Sequence, residues 1–245
     1  MKVKIDNNEI NYIRYGNSKG KSMVFLHGWG QNIQMMKFIS DYFQDNFDLI
    51  VVDLPGHGES SEPESALEVV DFVNIIHKFL EKINVKNPIL VGHSFGGKIS
   101  LLYASMYPAE KLVLFAPSFK VEKTKLTLKQ KVLKAAKKIP VLNKLEGFAK
   151  KHIGSSDYRN ASPVMRQILV NSVNTDIRED IKKISASAIL IWGSEDNQVD
   201  IESARELESI MRDAGLVIYA GYTHYAYLED KIRTVNIMKS FLEEE

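Results

Sequence analysis

Six short apolar runs, 23–26, 49–52, 89–91, 112–115, 188–192 and 216–219, alternate with segments whose apolar residues recur every three or four positions. Runs that are apolar at every position and rich in Val, Ile and Leu predict strands buried on both faces. Their alternation with helical periodicity predicts a mostly parallel sheet flanked by helices, an α/β fold. Ahead of them, 2–5 and 9–15 predict an antiparallel hairpin turned at Asn7 and Asn8, which brings the sheet to eight strands.

Between the second and third runs, Leu67, Val70, Val73, Ile76, Leu80 and Ile83 form one stripe behind a Ser65 and Glu68 capping box, predicting an amphipathic helix. Ile201, Ala204, Leu207 and Ile210 after Asp200, and Ile232, Val235, Met238 and Leu242 near the end, predict two more.

The alternation stops between Pro117 and about Thr175, where only helical spacing remains. Leu128, Val132, Ala135, Ala136 and Ile139 share a face that Pro140 ends. Leu142, Leu145, Phe148 and Ala149 follow, and Ser162 with Pro163 marks a further helix start. The pattern predicts a core made of 1–117 and 176–245, interrupted by a helical insertion at 118–175.

Composition narrows the chemistry. With no cysteine, thiolate nucleophiles, disulfides and Cys-ligated zinc are excluded. The net charge of +1 gives no bulk field toward nucleic acid. No apolar run reaches bilayer length and residues 1–15 lack the apolar stretch of a signal peptide, so neither a membrane span nor secretion is expected and the location is read as cytoplasmic. Charge is local instead: between Phe119 and His152 there are 11 lysines against Glu122 and Glu146. A solvated face explains them, and an anionic carrier or surface is the partner they would attract.

Gly92-His93-Ser94-Phe95-Gly96-Gly97 follows a strand and opens a helix. A serine at so sharp a bend needs neighbours, two residues either side, that lack clashing side chains. The bend lifts the Ser94 hydroxyl clear of the sheet and aims the Phe95 backbone N–H and the positive helix end at any oxyanion beside it. A phosphate loop would need a lysine next to a hydroxyl, which Gly97-Lys98-Ile99 does not supply.

A serine hydroxyl requires a base and an acid that orients the base. Of the six histidines, His77 lies in the amphipathic helix and His152 in the basic insertion, both read as solvated, and the His93 side chain is expected to point away from that of Ser94. His224 follows the last strand and is the best base. Asp196, after the strand at 188–192, is the acid, with Glu195 as its substitute. His27 and His57 sit in glycine-flanked turns without metal-ligand spacing, and Asp53 is read as tying down its own turn. No metal and no cofactor is called for.

With these motifs the whole chain resembles the α/β-hydrolase fold superfamily, in its capped serine hydrolase branch. Three further segments carry the resemblance: His27-Gly28-Trp29-Gly30, Asp53-Leu54-Pro55-Gly56-His57-Gly58-Glu59-Ser60 and Gly221-Tyr222-Thr223-His224. The resemblance implies a second oxyanion N–H on Trp29 beside that of Phe95, and a cap formed by the insertion. Leu128, Val132, Leu142, Leu145 and Phe148 would then roof an apolar acyl pocket for a small-molecule substrate. Serine at position 94 argues against the family's dehalogenase and epoxide hydrolase members, which use aspartate there. The implied activity is carboxylic ester hydrolysis through an acyl-enzyme; thioesterase, carbon–carbon bond hydrolase and a ligand receptor with residual hydrolysis stay open.

Overall fold

The computed structural model of the chain describes residues 1–121 and 161–243. Leu128, Val132, Leu142, Leu145, Phe148, His152 and all the clustered lysines except Lys120 lie outside them. The strands are β1 (Lys2–Ile5), β2 (Asn8–Gly16), β3 (Ser22–Leu26), β4 (Asp48–Val52), β5 (Ile89–His93), β6 (Lys111–Phe115), β7 (Ser187–Gly193) and β8 (Ala214–Tyr219). They form one sheet in the order β1-β2-β4-β3-β5-β6-β7-β8. Pairing is antiparallel for β1 with β2 and β2 with β4 and parallel from β4 to β8, so β2 alone runs against the rest.

The hairpin turns one residue earlier than the sequence suggests. Ile5 pairs with Asn8, which leaves Asp6 and Asn7 as the loop and makes Asn8 the first residue of β2. Asp6, at φ 49°, takes the left-handed conformation that a two-residue hairpin demands.

Among the described residues the helices are α1 (Ile33–Ser40), α2 (Val69–Lys82), α3 (Phe95–Met106), α4 (Pro163–Asn174), α5 (Arg178–Ile181), α6 (Ile201–Ile210), α7 (Ala226–Glu229) and α8 (Lys231–Glu243). Two starts match the sequence signals: the Ser162 hydroxyl accepts from Met165 N at 3.1 Å, and Asp200 Oδ1 from Ser203 N at 2.9 Å. The start of α2 differs. Its cap is Glu68, whose backbone N–H donates to Asp71 Oδ2 at 2.8 Å, so the box is Glu68 with Asp71 rather than Ser65 with Glu68. The buried face accordingly runs through Val69, Phe72, Val73, Ile76, Phe79 and Leu80, and Val70 turns outward at 40% exposure.

Period-two alternation divides the strands between two cores. Val24, Leu26, Ile50, Val52, Leu90, Leu112, Leu114, Leu190 and Trp192 face the layer containing α2, α3, α4 and α6. Met23, Phe25, Leu49, Val51, Ile89, Val91, Val113, Phe115 and Ile191 face α1, α7 and α8. Central strands covered on both faces explain why their sequences are apolar at every position.

Helix α4 packs on the core. Met165 and Ile168 pack into the first cluster. Lys98 of α3, with no exposure, donates from Nζ to Ser172 O at 2.7 Å and Thr175 O at 2.8 Å, placing a cation at the C-terminal carbonyls of α4. Lys120, one of the clustered lysines, is tied into the fold by Glu206 at 2.6 Å.

Candidate active site

The loops after β3, β4, β5, β7 and β8 leave the same, carboxyl edge of the parallel strands, the edge at which open α/β sheets bind ligands. Ser94 sits between β5 and α3 with φ 50° and ψ −108°, a left-handed conformation that costs an L residue energy and persists only where its surroundings enforce it. Those surroundings are tight. Ser94 N donates to Phe115 O at 2.9 Å, while Ser94 O accepts from Lys98 N at 3.0 Å and Ser118 N at 3.3 Å. A Cβ on Gly92 would fall 2.6 Å from Ser100 Oγ, and one on Gly96 only 2.1 Å from Leu26 O. Both glycines are there because the bend brings neighbouring chain against them. Phe95 opens α3, so its N–H lies in the first turn, beyond the reach of the helix's own carbonyls.

Trp29, from the loop after β3, meets Phe95 across the elbow with ring centroids 5.5 Å apart. Next to it Gly28 is held close: its N–H donates to Gln31 Oε1 at 3.0 Å, and a Cβ there would lie 2.8 Å from His93 Nδ1.

The loops after β7 and β8 bring Asp196 and His224 together. Asp196 Oδ2 lies 2.6 Å from His224 Nδ1, with the Asp196 side chain fully buried and that of His224 at 3% exposure. The other carboxylate oxygen accepts from Gln198 N at 2.8 Å and Val199 N at 3.0 Å, which fixes the group's orientation. Glu195 is exposed and takes no part. Because a carboxylate only accepts, Nδ1 carries the proton and Nε2 is left as the basic edge of the ring.

His93 links this pair to the elbow. Its Nε2 lies 3.2 Å from the His224 carbonyl oxygen, its Nδ1 lies 3.2 Å from Gln31 Oε1, and the His93 and His224 rings meet at 4.8 Å. Burial first, then the adjacent His224, holds His93 well below the usual histidine range, so the neutral ring donates to one of these two oxygens at a time.

Residues 21–143, half of the chain, match the family described as the alpha/beta hydrolase fold. The chain belongs to that family. The alpha/beta hydrolase is 25% identical over 279 residues to monoacylglycerol lipase abhd6-B of Xenopus laevis, covering 96% of this chain and 82% of the relative. It is 23% identical to the AB hydrolase superfamily protein YisY of Bacillus subtilis, over 91% of each chain. Among solved structures, an esterase from Exiguobacterium antarcticum shares the fold at a TM-score of 0.77 and 19% identity, over 98% of this chain and 97% of that one.

The remaining histidines of this alpha/beta hydrolase have defined surroundings. His27 is fully buried, with Nδ1 2.7 Å from Gly28 O and Nε2 accepting from Leu54 N at 3.0 Å; burial, then the neighbouring His57, pushes it down to about 3. His57 Nδ1 lies 3.0 Å from Pro55 O, and burial lowers this ring too. His77, read from sequence as solvated, is half-buried instead and stacks flat on Tyr107 at 3.6 Å, because α2 turns that side toward α3. Asp53 ties its own loop to β2 and to the start of α1: its carboxylate accepts from Asn11 Nδ2, Ile33 N and Glu59 N at 2.7, 2.8 and 2.9 Å.

The structure therefore joins Asp196 with His224, and sets Trp29 against Phe95 at the start of α3, next to the Ser94 bend. Gln31 and His93, which hold the loops after β3 and β8 to the elbow, were not singled out as site residues from sequence; Gln31 follows the His27 to Gly30 motif directly, and that adjacency is the signal it offered. Among the described residues no helix is long and apolar enough to cross a membrane.

Proposed function

We propose that this alpha/beta hydrolase is a serine hydrolase that cleaves carboxylic esters through an acyl-enzyme, with Ser94 as nucleophile, His224 as base and Asp196 as the acid that orients it. The observation that carries the reading is the buried 2.6 Å contact of Asp196 with His224, on a loop that His93 couples to the strained Ser94 bend. His224 Nε2 takes the Ser94 proton as Oγ bonds to the carbonyl carbon, and the oxyanion gathers on the Trp29 and Phe95 N–H groups. Collapse of that intermediate breaks the bond to the alcohol, which leaves with the proton from His224. Water, deprotonated by the same imidazole, then releases the acid and restores Ser94.

Ester cleavage is supported by the monoacylglycerol lipases among the similar proteins. The lysine-rich stretch adds an anionic acyl carrier or surface as a partner, whose turnover would fall steeply with salt. A panel of short and medium acyl esters, run with wild type and Ser94→Ala, tests the reading. Multiple turnovers that vanish in the variant support it. A single slow turnover with large thermal stabilisation by ligand would make the chain a receptor instead.

A further inference from the structure

Lys98 is a cation with no exposure, on the helix that the Ser94 bend opens. Its backbone N–H donates to Ser94 O at 3.0 Å, closing the first turn after the residue proposed as nucleophile. Its Nζ donates to Ser172 O at 2.7 Å and Thr175 O at 2.8 Å. One residue thus holds the bend by its backbone and the C-terminal end of α4 by its side chain. Desolvation makes a buried ammonium a poor source of stability, since apolar side chains of similar volume commonly serve as well or better. What its two directed bonds supply is one definite placement of α4 on α3.

That placement bears on the carboxyl edge of the sheet. The Met165 sulfur of α4 lies against Gly56, in the loop after β4, where a Cβ would have no room. The adjoining His57 ring meets Trp29 at 4.9 Å, and Trp29 meets Phe95 at 5.5 Å, so a short chain of contacts leads from α4 to the residues assigned to the oxyanion. Met165 and Ile168 also share an apolar cluster with Phe95. Two further ties of α4, Ser162 Oγ to Glu62 Oε1 at 2.5 Å and Asn171 Nδ2 to Leu67 O at 3.3 Å, run to the segment before α2. Lys98 reaches it from the nucleophile's own helix.

We propose that Lys98 is a positioning residue for substrate selection: by fixing α4 against the helix that follows Ser94, it sets how well the site binds longer acyl chains. This rests on the serine ester hydrolase reading and adds to it a residue that governs acyl length. Lys98 exchanges no proton with the substrate. With the tie gone, α4 holds its place for only part of the time, and the apparent KM rises by the inverse of that fraction. A short acyl group makes few contacts beyond the reacting carbonyl and is affected little.

The test measures kcat and KM separately for the 4-nitrophenyl esters of acetate, butanoate, hexanoate and octanoate, with wild type, Lys98→Met, Lys98→Gln and Lys98→Arg. Methionine, close to lysine in length, removes the donors. For the longest ester that wild type turns over, KM should rise roughly tenfold, while KM for acetate and kcat on both change less than about twofold. Glutamine and arginine can each donate to carbonyls, and at least one should restore part of the long-chain KM. A lysine that only supports the fold would lower the thermal midpoint and leave the ratio of long-chain to acetate KM where wild type has it, which overturns the proposal. An equal loss on every ester, or a methionine effect that neither donor relieves, overturns it too. Failure of the methionine variant to fold would place Lys98 in the service of the fold and overturn its role in selection. Absence of wild-type turnover on all four esters would instead sink the ester hydrolase reading, and this proposal with it.

Discussion

His93 Nε2 lies 3.2 Å from the carbonyl oxygen of His224, so the residue that precedes the elbow serine holds the backbone of the loop presenting the imidazole. The contact joins positions 131 residues apart. On its other edge His93 meets Gln31, which also receives the Gly28 N–H, so one neutral ring connects the loops after β3, β5 and β8. In this arrangement the Ser94 bend, the His224 loop and the Trp29 loop are positioned by a shared support.

Replacing that support should cost rate more than binding. His93→Phe keeps a flat ring of similar size but removes both polar contacts, and a base displaced by a fraction of an ångström loses roughly tenfold to a hundredfold in kcat. Steady-state kinetics should show this with KM little altered. Unchanged kcat in a variant that is merely less thermostable would reduce His93 to a packing residue.

The elbow should tolerate no methyl group. Gly96→Ala would place Cβ 2.1 Å from the Leu26 carbonyl oxygen, a backbone atom in the central strand that cannot swing away. Overpacking of this kind costs about 1–3 kcal/mol. Urea unfolding should show a loss at the upper end of that range together with lost activity, and a variant as stable as wild type would mean that the bend has more room than its geometry allows.

The acid should matter through orientation. Asp196→Asn can no longer enforce a proton on His224 Nδ1, and by analogy with other serine triads kcat should fall by ~10⁴ with the fold retained. Kinetics on an ester substrate, with thermal unfolding as the control, would check this; a loss below about tenfold would remove Asp196 from the role proposed for it.

Stability should depend on pH below neutrality. His27, His57 and His93 are all lowered by burial and stay neutral in the fold, yet take up protons once unfolded. Below about pH 6.5 the unfolded chain therefore binds more protons than the native one, so the stabilisation is complete above that pH and is lost as pH falls toward the lowered native values. Each such histidine adds about 1.4 kcal/mol per pH unit to the slope. Unfolding free energies between pH 7.5 and about 5 should fall more steeply than one proton explains, and His27→Gln should flatten the curve.

Much of this was legible in the sequence because the central strands are covered on both sides. Ile89 to Val91 or Ala188 to Trp192 could only be strands once helical segments flanked them, and the glycines around Ser94 announced the bend. Helix α1 was not legible: its inward face is Ile33, Met36 and Ile39, three positions in eight residues, too few to declare a period. The start of α2 moved because Glu68, and not Ser65, found a partner one turn on. The His93 contacts escaped for a different reason. A histidine beside a nucleophile has no periodic signature, and its partners are fixed only when distant loops meet. The roof residues Leu128, Val132, Leu142, Leu145 and Phe148 lie outside the described residues, so they remain sequence expectations.

Mass spectrometry after exposure to a fluorophosphonate tests the central assignment most directly. One adduct per chain should form, on the peptide carrying Ser94, at a rate that drops sharply in His224→Ala, and Ser94→Ala should take up none. An adduct that forms equally in Ser94→Ala, or on another residue of the wild-type chain, would contradict the account.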